Sequence, residues 1–169
     1  MSHCADTPVP VRAYLALGSN IGDKIEHLRA AVAAVAALPH VRVIARSAIY
    51  RTPPWGKTDQ DWFANAVIAV ETALSPRALL DACLAIEIEQ GRVRIERWGP
   101  RVIDIDVLIH GEARMATERL TLPHPAMQER AFVLIPLAEI VPELVLDGTP
   151  IAERIAGLDS AGIAPIATL

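Results

Sequence analysis

Hydrophobic positions change period along the chain, and each change predicts an element. Val11 to Leu17 is a short apolar run closed by the turn residues Gly18-Ser19-Asn20, and Asp23 with Glu26 three residues later has the spacing of a capping box. A strand is therefore predicted to lead into a helix. Ile25, Leu28, Val32 and Val35 share one helical face, and the pattern stops at Leu38 because Pro39 cannot extend it. Val41 to Tyr50 alternates and is rich in β-branched residues, which predicts one strand. Thr52-Pro53-Pro54-Trp55-Gly56 breaks it, and Trp62 to Thr72 predicts the next strand after a polar loop. Ser75, Pro76 and Gly91 are the residue types of a helix cap, first turn and stop, with Leu79, Cys83 and Ile86 on the inner face between them. Val102 to Ile109 reads as a further strand.

The succession strand, helix, strand, strand, helix, strand predicts an α+β fold with a ferredoxin-like βαββαβ core, an antiparallel sheet with helices packed on it. A Thr- and Glu-rich linker then reaches Pro123-His124-Pro125. Short C-terminal helices are predicted at Ala126 to Arg130, Pro136 to Ile140 and Pro150 to Ala156, the last with Thr149 as cap and Gly157 as stop. Residues 1–10 read as a flexible N-terminal tail and residues 11–169 as a single domain, with no internal repeat.

Composition narrows the function classes. The 169 residues are 52% hydrophobic and 21% charged, enough for one buried core without a disulfide or structural metal. Cys4 and Cys83 lie far apart, and two free thiols in a reducing cytoplasm are expected. No run approaches the roughly 18 apolar residues of a membrane span, and no basic-then-apolar leader opens the chain, so a cytoplasmic protein without membrane contact is expected. A net charge of −4 argues against a nucleic-acid partner held by a general basic surface. All 16 basic residues except Lys24 and Lys57 are arginine, so only local clustering of arginine is informative.

Such clustering occurs just before the last predicted strand. In Arg101-Val102-Ile103-Asp104-Ile105-Asp106-Val107-Leu108-Ile109, period-two geometry puts Ile103, Ile105, Val107 and Ile109 on one face and both carboxylates on the other. Their Cα atoms would be about 6.6 to 6.8 Å apart, near enough for repulsion that a proton or a cation relieves. Solvated acids on an exposed sheet face are the plain reading; a Mg²⁺ site completed by phosphate oxygens is the sharper one. Arg92, Arg94, Arg97 and Arg101 crowd the preceding loop, and guanidinium forks match phosphate oxygens. A salt-bridge network with Glu89, Glu96 or the two Asp is the alternative; together the clusters favour a nucleotide site. Gly18 to Lys24 lacks the spacing of a phosphate-binding P-loop, and neither G-x-G-x-x-G nor H-E-x-x-H occurs.

Seven segments in order resemble the 6-hydroxymethyl-7,8-dihydropterin pyrophosphokinases of folate biosynthesis. They are Leu17-Gly18-Ser19-Asn20, Tyr50-Arg51-Thr52-Pro53-Pro54, Asn65-Ala66-Val67, Glu87 with Gly91-Arg92-Val93-Arg94, Arg97-Trp98-Gly99-Pro100-Arg101, Asp104-Ile105-Asp106 and Leu122-Pro123-His124-Pro125, within a match from Ala13 to Leu146. The resemblance implies an ATP-dependent pyrophosphokinase that moves the β and γ phosphates of ATP to the hydroxymethyl group of the reduced pterin and releases AMP. By position it implies two Mg²⁺ ions on Asp104 and Asp106, with Arg92 and Arg101 among the catalytic groups. Arg92, Arg94, Arg97, Arg101, Arg119, His124 and Arg130 would contact ATP. Thr52, Pro53, Trp55, Phe63, Asn65, Trp98 and Phe132 would contact the pterin, Phe63 and Phe132 as a stacking pair and Trp98 as a lid. With only two Phe in 169 residues, their coincidence with both stacking positions outweighs a plain core role. Glu87 is expected at most behind the site, or as a surface carboxylate paired with an Arg. Its partners are expected to be these two small molecules, with the chain working as a monomer.

Two other readings compete. One is another two-metal nucleotidyl or phosphoryl transferase acting on a different small substrate; the other is a ligand- or RNA-binding module on the same kind of sheet. The absence of an aromatic RNA-binding signature and the negative charge weaken the second.

Overall fold

The computed structural model describes residues 8–91 and 101–169. The predicted sites Arg92, Arg94, Arg97 and Trp98, and likewise Cys4, lie outside the described residues.

The chain runs β1 (Val11–Ser19), α1 (Lys24–Ala36), β2 (Val41–Arg46), β3 (Ala48–Thr52), β4 (Phe63–Thr72), α2 (Pro76–Glu89) and β5 (Asp104–His110). There follow β6 (Met115–Ala116), β7 (Thr121–Leu122), a 3₁₀ turn (Met127–Glu129), α3 (Ala131–Ile140), β8 (Val145–Leu146), β9 (Thr149–Pro150), α4 (Ile151–Ala156) and β10 (Ala164–Thr168). Two of the three predicted caps form: Asp23 accepts from the Glu26 N–H and Ser75 from the Ala78 N–H, each satisfying a donor that the first helical turn leaves open.

The main sheet has the order β10-β3-β4-β1-β5, with β2 also on β4, and every pairing is antiparallel. With β2 and β3 counted as one interrupted strand this is the predicted ferredoxin-like sheet. Alternation along its central strands feeds two cores. Leu15, Leu17, Ile68 and Val70 point to α1 and α2, meeting Leu28, Val32, Leu79 and Cys83. Tyr14, Val67 and Ala69 point the other way, to Val133, Leu134 and Leu137 of α3 and Ile151 of α4.

Several boundaries depart from expectation. The strand expected over Val41 to Tyr50 is divided at Ser47, whose N–H donates to the Val67 carbonyl while its Oγ accepts from the Val67 N–H, both at 2.9 Å. Ile109 leaves the face of Ile105 and Val107. Leu15 pairs with Val107 but Tyr14 with Ile109, so Leu108 is an extra residue, and the bulge turns Ile109 towards the α3 core. Pro136 does not start its helix but lies inside α3. It removes one helical hydrogen bond, a loss offset by burying Val133, Leu134 and Leu137. Thr149 belongs to the β8–β9 ribbon, and α4 has no side-chain cap. The linker carries the β6–β7 ribbon, and the segment after α4 supplies edge strand β10.

Candidate active site

The C-terminal end of β1, the ends of β3 and β4 that pair with each other, and the start of β5 meet along one border of the sheet, and the first turn of α3 closes over it. Ala16 lies opposite Asp106 and Gly18 opposite Asp104 across the β1–β5 ladder. Both carboxylates therefore emerge on the α3 side, as period-two geometry predicts. Asp104, Asp106, Arg101, Arg130, Thr52, Pro53, Trp55, Phe63, Asn65 and Phe132 all border one cleft. Ten of the residues singled out from the sequence are thus brought together.

The cleft has a charged end and an aromatic end. At the charged end Arg101 Nη1 lies 2.5 Å from Asp104 Oδ2, so the salt bridge weighed from sequence exists beside the ligand-facing space. Burial first, and then the neighbouring Asp104, push the Asp106 pKa well above the ordinary carboxylate range; the Arg130 guanidinium acts in the opposite sense. Such a pair invites a cation. Arg130 is itself partly buried, which lowers its pKa against the opposing pull of Asp106 and Asp104, and it stays charged.

At the aromatic end the Trp55 and Phe132 ring centroids are 6.4 Å apart at 58°. The Arg130 guanidinium carbon lies 4.9 Å from the Trp55 centroid and 5.9 Å from that of Phe132, linking the two ends through cation–π contacts. Trp55 remains 43% exposed, an aromatic surface available to a ligand. Asn65 Nδ2 donates to Thr52 Oγ1 at 2.6 Å, which fixes the amide and leaves Oδ1 towards Gly18. A Cβ at Gly18 would lie 2.8 Å from that oxygen, so the position is kept free of a side chain.

His124 and Arg119 stand outside this cleft. The His124 pKa is lowered by burial and by Arg130. Its Nδ1 accepts from the Ala126 N–H at 3.2 Å, so a neutral ring carries its proton on Nε2 and presents a donor there. Arg119 is ion-paired with Asp81 at 2.5 Å and borders a second groove, lined by Leu80, Leu84 and Ile88 of α2 together with Asp104 and Asp106. The aliphatic ridge of α2 was not singled out from sequence; its i, i+4, i+8 spacing was the available signal.

Glu87 takes the first of its two expected places, behind the site, and Lys24 is a contributor that the sequence did not reveal. Glu87 is not a surface carboxylate: it is 2% exposed, and its Oε1 accepts the Ile105 N–H at 2.7 Å, between the two Asp. The loop before Phe63 is tied down by Lys24, whose ammonium is 2.7 Å from Asp61 Oδ2 and 3.9 Å from the Trp62 centroid, with Arg51 at 4.8 Å from that ring. Asn20 links the same loop to the acidic strand. Its Nδ2 donates to Gln60 Oε1 at 2.9 Å, and its Oδ1 accepts from the Arg101 N–H at 2.7 Å.

Among the described residues no cluster of three or more His, Cys, Asp or Glu forms a ready-made metal site, and no helix is long and apolar enough to cross a membrane. Two carboxylates with phosphate oxygens nevertheless suit the hard, octahedral Mg²⁺ ion.

Residues 14–142 match the family described as 7,8-dihydro-6-hydroxymethylpterin-pyrophosphokinase (HPPK). The 2-amino-4-hydroxy-6-hydroxymethyldihydropteridine pyrophosphokinase of Methylorubrum extorquens is 61% identical over 90% of this chain and 96% of its own. The Pseudomonas aeruginosa protein of the same name is 48% identical over 90% of this chain and 94% of its own. A solved Plasmodium falciparum HPPK-DHPS variant with STZ-DHP shares the fold, at a TM-score of 0.70 and 14% identity; the alignment covers 90% of this chain and 46% of that one.

Proposed function

Because the chain belongs to the 7,8-dihydro-6-hydroxymethylpterin-pyrophosphokinase family, we infer that it transfers pyrophosphate from ATP to the hydroxymethyl group of 6-hydroxymethyl-7,8-dihydropterin, a step of folate biosynthesis. The observation that carries this reading for the chain itself is the Asp104–Asp106 pair at the head of a cleft whose other end is aromatic. The pterin hydroxymethyl oxygen attacks the β-phosphorus, the bond from that phosphorus to the α,β-bridging oxygen breaks, and AMP departs with that oxygen. The hydroxyl proton passes to solvent, and the products are AMP and the pterin diphosphate.

The pterin occupies the aromatic end. Phe63 and Phe132 offer flat apolar surfaces, Thr52 and Pro53 shape the wall, and Trp55 covers the rim. Asn65, oriented by Thr52, supplies directional hydrogen bonds to the ring edge. Trp98 is assigned the lid, on the resemblance alone.

ATP lies across the charged end and the α2 groove. Leu80, Leu84 and Ile88 provide its apolar floor, Arg119 and the Nε2–H of His124 provide donors, and Arg101 and Arg130 meet phosphate oxygens. Arg92, Arg94 and Arg97 are assigned to the phosphates by resemblance. Asp104 and Asp106 would hold two Mg²⁺ ions: burial, and then the repulsion between the two acids, raise the Asp106 pKa, and that repulsion is what a divalent cation relieves. Such ions, when bound, neutralise phosphate charge and acidify a bound hydroxyl. The protein's own share is positioning and charge. Glu87 holds the backbone between the acids, Arg101 and Arg130 counter negative charge that builds on the transferring group, and the rings exclude water. A cytoplasmic monomer is the proposed working form, since the described elements of one chain border both pockets.

The test is chromatography of nucleotides after incubation with ATP and Mg²⁺, with and without the pterin. Pterin-dependent AMP, abolished by a chelator, is expected. ADP, or AMP indifferent to pterin, would overturn the reading in favour of another two-metal transferase.

A further inference from the structure

The family match ends at residue 142, yet the chain beyond Leu158 packs against the aromatic end of the cleft from behind. Gly162, at a φ of +79°, lies beside the cleft wall, where a Cβ would make ordinary van der Waals contact with Pro53 Cδ at 3.5 Å. Beside this contact is a cavity of about 300 Å³. Its inner wall includes Pro53, Trp55 and Phe132, the same side chains that border the pterin end, and its outer wall includes Leu158, Ala161 and Ile163. β10 then runs antiparallel to β3, with Ala164 opposite Arg51 and Thr168 opposite Ala48. Its far end is held by Arg29 of α1, whose guanidinium donates twice to the Thr168 carbonyl, at 2.9 and 3.3 Å.

A pocket wall with space behind it can retreat, whereas a close-packed wall cannot. Pro53 and Trp55 sit on a connection without regular structure, so their position depends on where β3 delivers the chain and on what stands behind them. Both conditions are met by the same late segment: β10 covers the open edge of β3, and Gly162 lies against Pro53. The α2 groove proposed for ATP shares none of these residues.

We infer that the segment from Leu158 to Thr168 is a positioning element for the pterin pocket, backing Pro53 through Gly162 and pinning β3 through β10. Pterin affinity then depends on residues that touch neither substrate. The inference rests on the assignment of the aromatic end to the pterin.

Two variants of the full protein test it. Deletion of residues 163–169 removes β10. Gly162→Val keeps the strand but adds bulk against Pro53 and strains a backbone in the left-handed region. Each is compared with the parent by thermal melting and by steady-state rates, with pterin varied at saturating MgATP and ATP varied at saturating pterin. The expected result is a rise in the pterin KM of roughly 3- to 10-fold, with kcat and the ATP KM within about twofold, the pattern of lost binding at one site. An unchanged pterin KM in a folded variant, or equal rises in both KM values, would overturn the inference. If the deletion does not fold, Gly162→Val decides alone. Pterin-dependent AMP formation by the parent is measured first, because its failure strikes the functional reading, while an unchanged pterin KM in an active variant strikes only this one.

Discussion

Glu87 on α2 accepts the backbone N–H of Ile105 at 2.7 Å, and Ile105 is the residue that separates Asp104 from Asp106. Among the described residues β5 is an edge strand of the sheet with no further strand beside it, and a carboxylate from the neighbouring helix supplies the acceptor. The strand bearing the two acids is thereby fixed from the side opposite to the cleft.

Replacing Glu87 tests this. Glu87→Leu leaves a buried N–H unsatisfied and is expected to cost about 1–3 kcal/mol of stability, with a fall in kcat as the acids shift. Glu87→Gln retains an acceptor of the same shape and is expected to recover most of both. Urea unfolding and turnover, measured on the two variants together, separate the backbone role from the charge.

Asp104→Ala and Asp106→Ala are each expected to reduce pyrophosphoryl transfer by at least about 10²-fold, the scale of losing a directly placed electrostatic group. Both should fold, because each removes one member of a crowded acidic pair. Near-parental turnover at saturating Mg²⁺ in either variant would remove the metal assignment.

The raised pKa of Asp106 makes a signed prediction about pH. In the metal-free protein the proton is held more tightly in the folded than in the unfolded chain, whose Asp titrates at about 3.9. The folded state therefore gains most at pH values below that figure, and the gain is lost as pH rises through the folded-state pKa. Thermal melting without metal should show a decline between about pH 4 and 8 that Asp106→Asn abolishes. A Mg²⁺ ion held by the pair, as proposed, would displace the same proton, so its affinity should rise with pH over this range, as titration calorimetry would report.

Gly18→Ala is expected to raise the pterin KM roughly tenfold while leaving the ATP KM nearly unchanged. The added Cβ would fall 2.8 Å from Asn65 Oδ1 and force the amide off the bond to Thr52 that orients it. Steady-state kinetics with each substrate varied in turn check this, and Asn65→Ala should mimic it.

Local pattern accounts for what could be read without coordinates. Helix caps at Asp23 and Ser75 are contacts across three residues, and the shared side of Asp104 and Asp106 follows from strand geometry over two. The ten residues around the cleft come from four separate stretches of chain; Arg101, Asp104 and Asp106 stand out by local pattern, and the others by position in the family resemblance. Contacts between distant stretches were not readable. The turn of Ile109 to the other core depends on a ladder shift against Tyr14, the break at Ser47 on a bond to Val67, and the burial of Glu87 on where α2 crosses β5.

Strand alternation alone sends the two acids out of β5 on one side, and the family resemblance places aromatic and arginine residues beside them. Which side that is depends on packing between distant parts of the chain. The sheet is apolar on both faces, and alternation cannot distinguish them. The acidic side became the aromatic cleft because the first turn of α3, from a later part of the chain, brings Arg130 and Phe132 over it, while α2 packs on the other side and borders the second groove.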